Sequence, residues 1–316
     1  MRLAILVLLF GPLASVPGCE KDFEERVAAA PGGRLEVNLD LGQGLRPDPG
    51  SLEVMSREAD EVRVVAEASG WGASGVRLRV VADGETIRID GGVSGALSWL
   101  FGGPRVRVRV WVPRDFSADL RCSTGPIRVE DLRGDVRART EDASIEVSAV
   151  EGRVRLRGGS GEVRVSEVVG DVDVRLDDGD VELRWIRGDV EVRTGNGGLD
   201  FAHVDGALRA RTDRGHIELH DMAGSVEAKT ERGTVFASFS GEPHGLLETR
   251  RGSVEVQIPA DAGAELDAST ARGSVELAGG FALPAAEESR VAGPLNGGGL
   301  PLRLYTARGN ILVRPR

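Results

Sequence analysis

Across the middle of the chain apolar and polar residues alternate in short bursts, and each burst opens two residues after a glycine. Val136 and Ala138 follow Gly134, Val154 and Leu156 follow Gly152, Val172 and Val174 follow Gly170, and Ile217 and Leu219 follow Gly215. A period of two is the signature of a strand with one buried and one solvated side. Stepping by nine from Gly125 to Gly233 crosses thirteen positions, of which twelve are glycine and one is Ala143. Beyond the fourth residue the bursts fall into two kinds. Those opening at 134, 152, 170, 188, 206 and 224 tend to continue Arg-Thr, as in Arg139-Thr140, Arg193-Thr194 and Arg211-Thr212. Those opening at 125, 143, 161, 179, 197 and 215 place an apolar residue seven after the glycine: Leu132, Val150, Val168, Ile186, Val204 and Met222. The repeat is therefore eighteen residues, two short strands joined by two unlike turns.

A unit of that size cannot bury its own apolar side, so successive units must stack, with coils ~4.8 Å apart. Parallel connections of this kind are right-handed, and the expected fold is all-β: a right-handed parallel β-solenoid of 18-residue coils with an irregular β cap at its N-terminal end. Glycine belongs at the corners, where the backbone takes positive φ or the next coil comes too close for a Cβ. Thr140, Thr194, Thr212 and Thr230 share the parity of the apolar positions and read as an inward ladder whose hydroxyls bond turn backbone. Cys122 falls in the same column and reads as a buried, unreactive thiol.

The flanks lack this clock. MRLAILVLLFGPLASVPGC has the plan of an export signal, one basic residue, an apolar stretch and then small residues. Val16-Pro17-Gly18-Cys19 resembles a lipoprotein box, which makes Cys19 the expected lipid attachment and residues 1–19 the signal peptide. Residues 20–33 read as a polar tether, 34–115 as irregular strands that form first coils or cover the open edge, 116–241 as the regular solenoid, and 242–316 as looser terminal coils and a cap. GALSWLFGG (95–103) reads as an apolar plug over the core.

The segment VRVRVWVPRDFSADLRCSTGPIRV (106–129), the GDVRART, GDVEVRT and GDVELR units and the closing TARGNILV resemble the bacterial putative-adhesin family of β-strand-repeat proteins, one of the domain-of-unknown-function families. The resemblance spans residues 34–314. It implies an exported or envelope-facing β-solenoid with no established catalytic residues, acting in adhesion or envelope-stress signalling.

Charge then refines the functional reading. A net charge of −10 argues against nucleic-acid binding, and the chain has no second long apolar run to span a membrane. Stacking turns every eighteenth residue into a neighbour, which draws one line through Arg121, Arg139, Arg157, Arg175, Arg193, Arg211 and Lys229. Acids two residues away (Asp173, Glu191, Glu227) offset its later members. Arg137, Arg139, Arg153, Arg155 and Arg157 have only Asp135, so the candidate anion-binding face is Arg121, Arg137, Arg139, Arg153, Arg155, Arg157, Arg175, Arg193 and Arg211. Arg128, Glu146, Arg164 and Glu182 alternate in sign on the opposite face and read as surface register locks.

Other chemistry is thin. His216 and His220 stand four residues apart on a strand, about 13 Å, too far to share an ion, and only His203 and Asp221 from successive coils pair sterically. Asp177, Asp178 and Asp180 read as turn acids, not a metal or catalytic cluster. The residue after each glycine varies too much for calcium-binding nonapeptides. With aromatics at 4%, no sugar-stacking platform is apparent. The expectation is a monomeric, non-catalytic, lipid-anchored envelope protein without cofactor, binding an envelope polymer or protein partner. The alternatives are an exported carbohydrate-active β-helix enzyme and an envelope-stress sensor.

Overall fold

The structure, a computed structural model, describes residues 21–40, 50–70, 72–93, 104–279, 281 and 286–316. Apart from a single 3-10 turn at Ala73–Gly75, the regular elements among these residues are strands. The chain divides into two compact units, Met1–Gly161 and Glu162–Arg316. Cys19 and the stretch 95–103 lie outside the described residues.

In the first unit Ser117–Thr124, Val136–Asp142 and Val154–Ser160 lie parallel in one sheet, and Ile127–Arg133 and Ile145–Glu151 lie parallel in another. Val136 opposes Ala118 on one side and Val154 on the other, an offset of eighteen in each direction. The second unit repeats the arrangement. Val172–Asp178, Val190–Asn196, Leu208–Arg214 and Val226–Arg232 form one parallel run, and Val163–Val169, Val181–Arg187, Leu199–Asp205 and Ile217–Met222 form the other. Each unit is thus a stretch of parallel β-solenoid, its core the inward residues of both sheets, such as Val136, Ile145 and Leu156 in the first unit and Val190, Phe201 and Leu219 in the second, all essentially inaccessible.

The two kinds of half-coil differ for a backbone reason. In the first kind alternation runs unbroken: Val190, Val192 and Thr194 are all buried. In the second kind one residue per strand takes left-handed φ: Asp131 (57°), Ala149 (54°), Glu167 (57°), Trp185 (59°), His203 (56°) and Asp221 (59°). The ladder skips it, so that Glu130 opposes Ser148 and Leu132 opposes Val150. This bulge lets two consecutive side chains face outward and returns the chain inward one residue late, which explains the apolar residue seven after the glycine.

At the corners the coils nearly touch. Gly188 has φ 149°, and a Cβ there would stand 2.6 Å from the carbonyl carbon of Gly170. The aspartate that often follows such a glycine caps the next coil: carboxylates of Asp135 and Asp189 accept from the backbone N–H of Arg153 (3.2 Å) and Ala207 (3.0 Å). Inside, the hydroxyls of Thr194, Thr212 and Thr230 donate to the carbonyls of Gly179, Gly197 and Gly215 at 3.1–3.2 Å. Thr249 and Thr306 extend the ladder by donating to Gly233 and Gly252 at 2.8 Å. Thr140 breaks it, because its buried hydroxyl has no partner among the described residues. Cys122, beside Thr140, is 2% exposed and donates to the Thr124 carbonyl, and burial pushes its thiol pKa up to about 11.

Chain order and spatial order part company toward both termini. In the first unit Arg34–Asp40 lies between Ser117–Thr124 and Thr86–Val93, and Gly50–Arg57 lies between Ile127–Arg133 and Arg105–Pro113. Antiparallel strands Val76–Asp83, Glu61–Ser69 and Lys21–Ala28 then close that side. Within the expected tether, Lys21–Ala28 is instead the outermost strand of its sheet, its alternating KDFEERVA half-burying Phe23 and Val27 against Glu61–Ser69. In the second unit Pro301–Thr306 and Ile311–Pro315 slot between the coil of Gly245–Ile258 and the strands Ala264–Thr270 and Val275–Leu277. Arg290–Leu295 covers the outer edge antiparallel.

Two pairs of substitutions test these contacts by urea unfolding. Gly188→Ala forces a Cβ onto the neighbouring coil in a region of φ closed to side chains and costs about 2–4 kcal/mol. Gly241→Ala, where a Cβ finds its nearest neighbour at 3.7 Å, changes stability by less than about 0.5 kcal/mol. Thr212→Val strands a carbonyl and costs about 1 kcal/mol, whereas Thr140→Val removes a hydroxyl that bonds nothing and is neutral or stabilising.

Candidate functional site

The predicted arginine face is built in the first unit on Ser117–Thr124, Val136–Asp142 and Val154–Ser160. Arg121, Arg139 and Arg157 stand in one register column, and Arg137 and Arg155 in the next column but one along the strands. Parallel neighbours at ~4.8 Å repel by about 1 kcal/mol per pair in a water-like dielectric, so the acids nearby decide what the face presents. Those acids are few. Arg121 reaches Asp119 at 3.5 Å, and Arg137 only approaches Asp135, at 4.0 Å. Arg139, Arg155 and Arg157 make no ion pair among the described residues. Arg153 sits at the corner, where its backbone N–H is held by Asp135.

The remaining predicted members behave differently. In the second unit Arg175, Arg193 and Arg211 are again in register, continuing to Lys229. Here acids interleave: Arg175 meets Asp173 (3.1 Å) and Glu191 (3.9 Å), Arg193 meets Glu191 (2.8 Å), and Lys229 meets Glu227 (2.8 Å). The hydrogen bond from Lys229 holds the Glu227 carboxyl below its usual pKa, with the charges of Lys229 and Arg209 adding to it. A shallow cleft of ≈ 440 Å³ runs over this column, but its walls carry both signs. The nine arginines therefore do not form one basic surface: Arg121, Arg137, Arg175 and Arg193 meet carboxylates, whereas Arg139, Arg155, Arg157 and Arg211 make no ion pair among the described residues.

On the other sheet Arg128 donates through two nitrogens to Glu146, at 2.9 and 2.7 Å, and Arg164 lies 3.5 Å from Glu182, as alternating signs eighteen residues apart predict. The turn acids also stay local: Asp178 accepts from the Asn196 amide, and Asp180 accepts from the Gly198 N–H at 2.7 Å. His216 bonds Thr234, His220 lies 3.7 Å from Glu218 and against Phe236, and His203 Nδ1 is 3.8 Å from Asp221. Among the described residues no three His, Cys, Asp or Glu side chains converge as a metal site would require.

One group escaped the sequence. Trp185 and His203, eighteen apart and both in the left-handed column, stack with ring centroids 3.8 Å apart and planes 15° from parallel. Aromatic scarcity concealed this, since one tryptophan and one histidine carry no repeat. The signal was their equal spacing from successive second-kind glycines, Gly179 and Gly197. Trp185 is 57% exposed and borders a cleft of ≈ 510 Å³.

No curated protein matches the chain. Among solved structures, a putative cell adhesion protein from Clostridium sporogenes shares 13% identity with a TM-score of 0.24, over 94% of this chain and 100% of that one. A putative adhesin from Bacteroides fragilis shares 10% identity with a TM-score of 0.33, over 94% of this chain and 97% of that one. A putative adhesin from Parabacteroides distasonis shares 8% identity with a TM-score of 0.30, over 93% of this chain and 97% of that one. The model of the Toastrack DUF4097 family matches residues 50–314, which takes in most of the described strands of both units, and the chain belongs to that family.

Proposed function

We propose that this protein is a non-catalytic binding protein of the cell envelope, exported by its leader, anchored through a lipid on Cys19, and holding an acidic glycan against the arginine face of its first unit. The observation that carries the reading is the column Arg121, Arg139 and Arg157 with Arg155 beside it, of which Arg139, Arg155 and Arg157 have no ion-pair partner among the described residues, on a chain whose net charge is −10. Acids stand beside the stacked Arg175, Arg193 and Lys229, whereas Arg139, Arg155 and Arg157 have none in ion-pair reach among the described residues. Guanidinium groups repeated from coil to coil match carboxylates repeated along a polyuronate, and each is a planar donor fork suited to a carboxylate. The surface is open and ruled, which favours an extended polymer over a small substrate. Rigidity adds to this, because strands paired on both sides hold the backbone of the columns in place, so that only side-chain ordering opposes binding.

The test is binding of polygalacturonate to the full chain by titration calorimetry, with phosphatidylglycerol vesicles as the comparison. Replacing Arg139, Arg155 and Arg157 together by Glu should weaken polygalacturonate binding at least about tenfold, and raising salt should weaken the wild-type interaction. Binding that is unchanged by the triple substitution removes the site, and binding to vesicles alone assigns it to lipid phosphates instead.

A further inference from the structure

Trp185 occupies a position where a bulky residue is out of place. Its φ of 59° is one that glycine or asparagine adopts at least cost, and the equivalent corner of other coils carries Asp131, Ala149 or Glu167. Nor is the indole repaid by burial, since it is 57% exposed, against 0% for Ile186 beside it. The other described tryptophan, Trp111, is half-buried with the guanidinium of Arg63 over its ring at 5.3 Å. An exposed Trp in a strained backbone position, held flat by a second ring, asks for a ligand.

The ring is also braced from behind. His203 covers one face, Asp221 approaches His203 Nδ1 at 3.8 Å, and Asp221 is itself fixed by an ion pair to Arg316 and by its backbone N–H donating to Ser238 Oγ at 2.9 Å. Both rings border the cleft of ≈ 510 Å³, within the range of ~300–1,000 Å³ typical of small-molecule sites. Glu167, Val169, Arg187 and Asp205 also line it, with Arg187 directly opposite Val169 on one neighbouring strand and Asp205 on the other. Arg187 makes no ion pair among the described residues.

We infer that this cleft binds a neutral pyranose unit of a glycan, its ring stacked on the exposed indole of Trp185 and its hydroxyls bonded by Glu167, Arg187 and Asp205. The weakly positive axial C–H groups of a pyranose lie well on the negative face of an indole, and vicinal hydroxyls match the two oxygens of a carboxylate or the fork of a guanidinium. Charge selects the class. With Asp221 paired to Arg316, the lining offers Glu167 and Asp205 against Arg187, so an anionic sugar is repelled by carboxylates and a neutral one is not. Covering by a flat protein surface is disfavoured by the same groups, each of which would lose its water without a partner. The inference uses none of the arginines of the proposed polyanion face and stands or falls separately from it.

The experiment titrates the full chain with cellohexaose, xylohexaose, mannohexaose and, as the charged member, hexagalacturonate, reading tryptophan emission and calorimetric heat. A neutral hexasaccharide should bind and blue-shift the emission. Trp185→Asn keeps a residue at ease in left-handed φ, so the melting temperature should hold while affinity falls at least about tenfold, and Trp185→Phe, which keeps a stacking face, should retain most of the binding. The triple Glu replacement of Arg139, Arg155 and Arg157 should bind the neutral sugar as wild type does. Should Trp185→Asn fail to fold, the paired replacement of exposed Arg187 and Asp205 by Ala must abolish binding in its stead. No binding by any neutral hexasaccharide, equal binding by Trp185→Asn, or binding by hexagalacturonate alone overturns the inference.

Discussion

At the corners of the coils the backbone of one turn rests on a carbonyl of the turn before, with no space for a side-chain carbon between them. Gly188 over Gly170, Gly206 over Gly188 and Gly152 over Gly134 are successive cases of one contact. Everything regular in each unit follows from it. Corners that close lock the offset at eighteen residues, because a slip by one would drive a Cβ into a carbonyl and turn the apolar side of every strand outward. Once the offset is locked, equivalent side chains must stand in columns. The core then becomes stacked Val, Leu and Ile, the threonine hydroxyls fall within reach of glycine carbonyls, and the aspartates that follow corner glycines reach the N–H groups one coil on.

Columns also make the electrostatics of this protein a matter of sequence spacing. A like-charged column is tolerated where an acid two residues along the strand interleaves, as Glu191 does for Arg175 and Arg193. Individually such exposed pairs contribute little to stability. Their greater effect is to decide which surfaces remain charged, and the face around Arg139, Arg155 and Arg157 is distinguished by what it lacks. The left-handed bulge of the other sheet has the opposite effect, pushing two consecutive residues outward in every coil. Where those residues are Arg184 and Trp185 the bulge becomes a ridge of two consecutive outward side chains, which a regular strand could not present.

Open ends are the weakness of a parallel stack, since unpaired edges recruit other strands. In each unit the answer is the same in kind. A coil formed by residues near a terminus of the sequence is placed inside the stack, between the regular coils and a segment from further inward in the sequence: Arg34–Asp40 with Gly50–Arg57 in the first unit, Pro301–Thr306 with Ile311–Pro315 in the second. Antiparallel strands then close the outer edge. Fraying of the outermost strands therefore leaves these coils paired on their inner side.

Much of this was legible from residue spacing alone, because a nine-residue glycine clock and two-residue alternation are local consequences of the backbone geometry that repeats. The β-solenoid, the eighteen-residue offset, the buried Cys122, the inward threonines, and the pairing of Arg175, Arg193 and Lys229 with their acids could all be read by counting. Counting failed where pairing is not set by local pattern. The strand at Lys21–Ala28 looked like a tether, since its alternation is charged and its apolar residues are only half-buried, and the reordered coils left no trace, because any strand of the right parity can pair with any edge. The Trp185–His203 stack was equally hidden. Two unlike rings become a platform only when the bulge turns both outward and the stack brings them within 3.8 Å, and both conditions belong to the folded chain. The sequence by itself determined the repeat, the inward faces and the charge columns, because these depend on distances along one strand; the tertiary structure decided which edges meet, because that depends on which surfaces remain unpaired once every coil has closed.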